Sequence, residues 1–125
     1  MKCLGILGQE LRNMGINAEF ENWTGKVPNY YWVYTYIESE NNHETNCKSG
    51  IIILDGFTRK NISELEKEKE NIINKFMDFR KTVENTTVYL SSANGQLIDT
   101  QNTELKRIQI NIDFKEWRYW KLWIN

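Results

Sequence analysis

Apolar and polar positions change period several times along the chain, and each change marks an element. Leu4, Leu7, Leu11 and Met14 recur at spacings of three and four, the stripe of a helix over 2–14, and Gly15 stands where a left-handed C-terminal residue is expected. Gly5 and Gly8 each weaken that helix by about 1 kcal/mol relative to alanine, so either they admit a close neighbour or the helix relies on docking, and docking is the expectation. Residues 17–23 set Ala18 and Phe20 against Glu19 and Glu21, a short half-buried strand, and 24–29 break it. In 30–38 both alternating faces are apolar: Tyr30, Trp32, Tyr34 and Tyr36 on one, Tyr31, Val33, Thr35 and Ile37 on the other. Ile51, Ile52, Ile53 and Leu54 form the only unbroken aliphatic run, which predicts a central strand covered on both faces and closed by a turn at Asp55-Gly56.

Taking Asn41-Asn42 as a two-residue turn joins these strands into a long hairpin that pairs Tyr36 with Cys47, Trp32 with Ile51 and Tyr30 with Ile53. Its polar tip, 39–49, is either a surface loop or an arm reaching beyond the domain. Asn61 with Glu64 resembles a capping box, and Ile62, Leu65, Ile72, Ile73, Phe76 and Phe79 then keep helical spacing, predicting a helix over 62–80. Glu64 and Glu66 near its start and Lys75, Arg80 and Lys81 near its end complement the backbone dipole, and the charged run 64–70 reads as a solvated face with local pairs. Residues 86–93 predict a strand that Asn94-Gly95 returns through 96–100. In the last strand Ile108, Ile110, Ile112 and Phe114 alternate with Arg107, Gln109, Asn111, Asp113 and Lys115, so one face packs on the core and the other meets water or a partner. The predicted fold is α+β: a mainly antiparallel sheet with a long β-hairpin, packed by an N-terminal helix and one longer central helix.

A length of 125 residues with 40% hydrophobic content suits a single domain over 1–125. With 16 basic and 17 acidic side chains the net charge of -1 creates no field drawing the whole molecule to nucleic acid or anionic lipid. No apolar segment approaches the ~18 residues of a membrane helix, and the N-terminus lacks the basic region and apolar core of a signal peptide. A cytoplasmic protein without a membrane partner is expected. Cys3 and Cys47, with no CxxC, read as reduced, unpaired thiols. His43 is the only histidine, four residues before Cys47, and two possible ligands without a third are weak grounds for a metal. No Gly-rich phosphate loop and no distinctive carboxylate pair are present. The expectation is therefore no cofactor and no enzymatic activity; a small hydrolase or toxin using His43 or Asp55 is the competing reading from a different class.

The chain closes on an aromatic extension, 117–125. Trp117, Trp120 and Trp123 place three of the five tryptophans in the last nine residues. Packing on the domain's own helices, burial against another subunit and an interfacial membrane anchor all remain open for it.

Three stretches carry a family resemblance: Pro28-Asn29-Tyr30-Tyr31-Trp32-Val33-Tyr34-Thr35-Tyr36, then Gly50-Ile51-Ile52-Ile53-Leu54-Asp55-Gly56-Phe57, then the charged helix beginning at Asn61. In size and element order the chain resembles, over about residues 1 to 116, the tail terminator (tail completion) proteins of long-tailed bacteriophages and of phage-tail-like bacteriocin particles. The resemblance implies a structural virion-type protein, assembled in the bacterial cytoplasm, that forms a hexameric ring. Such a ring caps the tail tube, stops its polymerisation and joins it to the neck or head. The implied partners are further copies of the chain, tail tube protein and a sheath or neck/connector protein, with DNA at most passing through a lumen. Another neck protein, a head-tail connector or head-completion ring, is the alternative within this class. The expected contacts are Tyr30, Trp32, Tyr34 and Tyr36 between subunits, Arg107, Gln109 and Lys115 lining the ring or meeting the tube, and Trp117, Trp120 and Trp123 clamping a neighbour. The tryptophan-rich end departs from the family pattern.

Overall fold

A computed structural model of the chain describes residues 2–42, 46–102 and 104–118. In chain order the elements are α1 (Lys2–Asn13), β1 (Ala18–Phe20), β2 (Tyr30–Asn42), β3 (Cys47–Thr58), α2 (Ile62–Lys75), β4 (Phe79–Val83), β5 (Thr86–Ile98) and β6 (Lys106–Arg118). The six strands make one sheet in the order β1-β2-β3-β6-β5-β4. Only β1 and β2 run parallel; the other neighbours are antiparallel. The protein is thus α+β, with two helices and one sheet among the described residues.

Both helices lie on the same face. On β2, β3 and β6 that face is formed by the even-numbered residues, so Trp32, Tyr34, Ile52, Leu54, Ile108, Ile110, Ile112 and Phe114 are buried beneath Leu7 and Leu11 of α1 and Leu65 and Ile72 of α2. The α1 stripe behaves as its spacing predicts, and Gly15 ends the helix at φ 77°. Gly8 is a point of close approach: a Cβ there would sit 2.5 Å from Tyr34 Oη. The α2 start follows the sequence as well, with Asn61 extended and accepting a bond from Ser63 N at 3.0 Å.

The hairpin register differs from the one expected. Tyr30 faces Thr58, Trp32 faces Gly56 and Tyr36 faces Ile52, because Asn41 and Asn42 are themselves paired, with Lys48 and Cys47, and do not form the turn. An odd shift in register exchanges faces. Here it sets Ile52 and Leu54 beside the Trp32 and Tyr34 row and opposite Ile112 and Ile110 of β6, where all are buried together. The aliphatic run is accordingly covered on one face only, and Ile51 is 39% exposed. Asp55-Gly56 is no turn but mid-strand. Gly56 makes room for Trp32, since a Cβ there would lie 2.7 Å from the indole.

Two further boundaries are corrected. The central helix stops at Lys75: Phe76 N still bonds Ile72 O at 3.0 Å, but Ser92 of β5 donates from N to Phe76 O at 2.7 Å and from Oγ to Ile73 O at 2.6 Å, occupying the last carbonyls of the helix. Phe79 then opens β4 opposite Leu90 and packs edge-on to Phe76 at 5.4 Å. Asn94-Gly95 does not reverse the chain. Ser92 pairs with Ile112 and Gly95 with Ile110, three steps against two, so the dipeptide is a β-bulge within one long strand. The β4–β5 reversal falls at Glu84-Asn85, with Glu84 at φ 56°.

Gly56→Ala is expected to destabilise the monomer by about 1–3 kcal/mol through overpacking against Trp32, read as a lower urea midpoint. A midpoint equal to the parent's would mean that the indole moves aside freely.

Candidate interaction surface

Among the described residues no helix lies on the other face of the sheet. Odd-numbered residues of β2, β3 and β6 point to it, which gives a surface of mixed character. At one end Trp23 packs on Tyr31 with ring centres 5.5 Å apart, Tyr31 stacks on Phe57 at 5.4 Å, and the Arg107 guanidinium lies over Phe57 at 5.9 Å. Arg107 also donates to Asp55 Oδ1 through Nη2 at 2.8 Å and Nε at 3.0 Å, and Gln109 Nε2 reaches the same oxygen at 3.2 Å. Asp55 is thereby held as a cross-strand anchor between β3 and β6. Further along, Ile37 and Ile51 face each other across the β2–β3 ladder and are 60% and 39% exposed. A shallow concavity of about 400 Å³ follows, lined by Ser39, Ile51, Tyr89, Asp113 and Lys115 among others.

The sequence-predicted contact residues divide across the two faces. Arg107, Gln109 and Lys115 do project from the open one. Tyr30, Trp32, Tyr34 and Tyr36 do not: they belong to the helix-covered row, with Trp32 fully buried, Tyr34 nearly so and Tyr30 and Tyr36 packed partly against the core. As lateral contacts Trp32 and Tyr34 are corrected, since both are buried under the domain's own helices, whereas Tyr30 and Tyr36 keep part of their surface. The exposed row on β2 is its complement, containing Tyr31 and Ile37. Trp117 is half-buried opposite Cys47 and Thr87, while Trp120, Trp123 and His43 lie outside the described residues.

Two carboxylates have roles that charge patterning does not reveal. Glu68, within the run read as solvated, accepts from Trp32 Nε1 at 2.9 Å, whereas its neighbours do form surface pairs, Lys67 with Glu64 and Lys69 with Glu66. Glu116 extends the buried alternation of β6 by one step. Its Oε1 accepts from Cys3 N at 2.8 Å, placing negative charge at the start of α1. Burial, reinforced by the Glu116 charge, pushes the Cys3 thiol up to about 12, so this cysteine is a packing residue; Cys3 and Cys47 are both free.

Burial holds the Glu68 carboxyl above its ordinary range, against the opposing pull of the Trp32 N–H. A carboxyl raised on folding keeps its proton longer in the native state. Its contribution is therefore fully present below the ordinary Glu value and is lost as pH rises through the raised one. Glu68→Gln lacks that loss, so its stability relative to the parent should climb across this window in urea titrations at stepped pH. Parallel pH profiles for the two proteins would exclude the effect.

Among the described residues no cluster of three or more His, Cys, Asp or Glu side chains is arranged to hold a metal, and no helix is long and apolar enough to cross a membrane. Compared with known proteins, the chain matches no family model and no curated sequence.

Proposed function

We propose that this chain is a ring-forming tail terminator, a structural protein of a phage or phage-tail-like particle that caps the tail tube, stops its polymerisation and joins it to the neck or head. The observation that carries the reading is the sheet face that no described helix covers. One face of a mainly antiparallel sheet is packed by the N-terminal and central helices, and the other presents Tyr31, Ile37, Ile51 and Phe57 beside Arg107. Exposed apolar patches of this kind mark interaction sites, and aromatic residues with Arg are the types that interfaces enrich.

In this reading the long β2–β3 hairpin supplies contacts between subunits, and the Arg107, Gln109 and Lys115 row lines the ring or meets the tube. The tryptophan-rich end from Trp117 onward adds a clamp on a neighbour. Assembly takes place in the bacterial cytoplasm, with tail tube protein and a sheath or neck/connector protein as partners. Light scattering on a sizing column across concentration, with and without purified tail tube, tests this directly. A ring mass, or a monomer that becomes a ring only with tube, supports the reading. A monomer that ignores the tube at every concentration removes it.

A further inference from the structure

The sheet ends in two margins that are left unpaired in complementary ways. At one margin β1 is much shorter than β2 and covers only Trp32 to Tyr34. Trp32 N donates to Asn17 O at 2.8 Å and Tyr34 O accepts from Glu21 N at 2.9 Å, so the even-numbered residues of β2 turn their peptide groups outward. With the two-residue period of a strand, Tyr36 does the same, as does Glu38 at the last position before the register of β2 shifts between Glu38 and Glu40, and no described strand meets them on that side. Such a margin is a template for a further strand. At the opposite margin lies β4, five residues long, and among the described strands it pairs with β5 alone.

Side-chain order matches across the two margins. On the helix-covered face β2 offers Tyr36 then Glu38, and β4 offers Phe79 then Lys81, which stand opposite buried Leu90 and Val88 of β5. Glu38, Arg80 and Lys81 are all exposed. Four successive antiparallel pairings link β2 to β4, so the two strands run the same way within one copy. Rotation about an axis along the strands preserves that direction, so joining copies edge to edge around such an axis makes the new pair parallel.

We infer that copies of this chain join by parallel pairing of the free β2 edge at Tyr36 and Glu38 with β4 of the next copy, setting Tyr36 beside Phe79 and Glu38 beside Lys81. Opposite charges on neighbouring strands favour the pair, whereas β2 against β2 or β4 against β4 would oppose like charges. The contact is therefore head-to-tail, the type that closes into rings when the rotation allows. A short, Lys-bearing edge also discourages unselected pairing, and the matching carboxylate turns that guard into partner choice. This inference rests on the ring reading for its closure but not for its edge contact.

The test uses the full chain with Glu38→Lys and Lys81→Glu made separately, with folding checked by near-UV circular dichroism and mass read by light scattering, tube present where the parent requires it. Each variant alone opposes like charges at every contact and should assemble at least tenfold more weakly than the parent. An equimolar mixture places opposite charges at every alternating contact and should regain assembly. Glu38→Cys mixed with Lys81→Cys should in addition give an oxidised cross-link between the two variants, located by mass spectrometry. That cross-link decides the matter should a charge reversal disturb folding. If the parent assembles while both reversals assemble equally well, or the mixture stays dissociated and no cross-link forms, the edge inference is overturned and the ring stands. Cross-linked open filaments would uphold the edge contact and remove the closed ring. A parent that is monomeric under all conditions and yields no cross-link removes both.

Discussion

Trp32→Ala lowers the stability of the isolated domain by about 3–5 kcal/mol, the range for deleting a fully buried large aromatic. Trp32 has no exposed surface, lies over Gly56, and donates its indole N–H to Glu68. Removing it empties the space between α2 and the β2–β3 ladder and leaves Glu68 half-buried without that donor. Against a total stability of about 5–15 kcal/mol for a typical domain, this is enough to populate unfolded chains at 37 °C. The effect appears in dilute monomer as a large drop in urea midpoint. A change of under about 0.5 kcal/mol, with loss confined to assembly, would instead return Trp32 to the interface role that its sequence neighbourhood suggests.

The opposite outcome is expected on the open face. Ile37→Asp combined with Ile51→Asp should leave the monomer folded and weaken higher-order assembly about a hundredfold, equivalent to about 2.7 kcal/mol. Both side chains are already in contact with water, at 60% and 39% exposure, so the domain loses little core on substitution. In a contact between copies or with the tube they would be desolvated as a cross-strand pair, and two carboxylates there would be buried without partners. Mass by light scattering with tube present, beside circular dichroism of the monomer, separates the two quantities. Unaltered assembly would show that this patch is not where partners meet.

The two predictions contrast because β2 is apolar on both faces. From sequence, the Tyr30, Trp32, Tyr34, Tyr36 row and the Tyr31, Val33, Thr35, Ile37 row are equally good candidates for the interior. Gly56, which accommodates the Trp32 indole, and the even-numbered row of β6 break the tie. Neither is adjacent to β2 in sequence. The same holds for Asp55, whose partners Arg107 and Gln109 come from the far end of the chain, and for Glu68, whose partner is a tryptophan on another element.

Elements whose evidence is local were legible. The α1 stripe, the Gly15 stop, the Asn61 cap and the alternation from Ile108 to Phe114 follow from spacing and capping chemistry, because the residues that decide them are a few positions apart. The α+β class follows in turn. Register, the end of α2 and the fate of Asn94-Gly95 were not legible. Phe79 keeps helical spacing yet pairs with Leu90, Ser92 captures the helix carbonyls, and a turn-forming dipeptide is held as a bulge by continuous pairing with β6. Local preferences amount to about 1 kcal/mol per position, whereas moving an apolar row from water to the core is worth about 1.5–3 kcal/mol for each side chain. Short-range pattern therefore names the elements, and the burial shared between distant strands chooses which face each one hides and which it leaves for a partner.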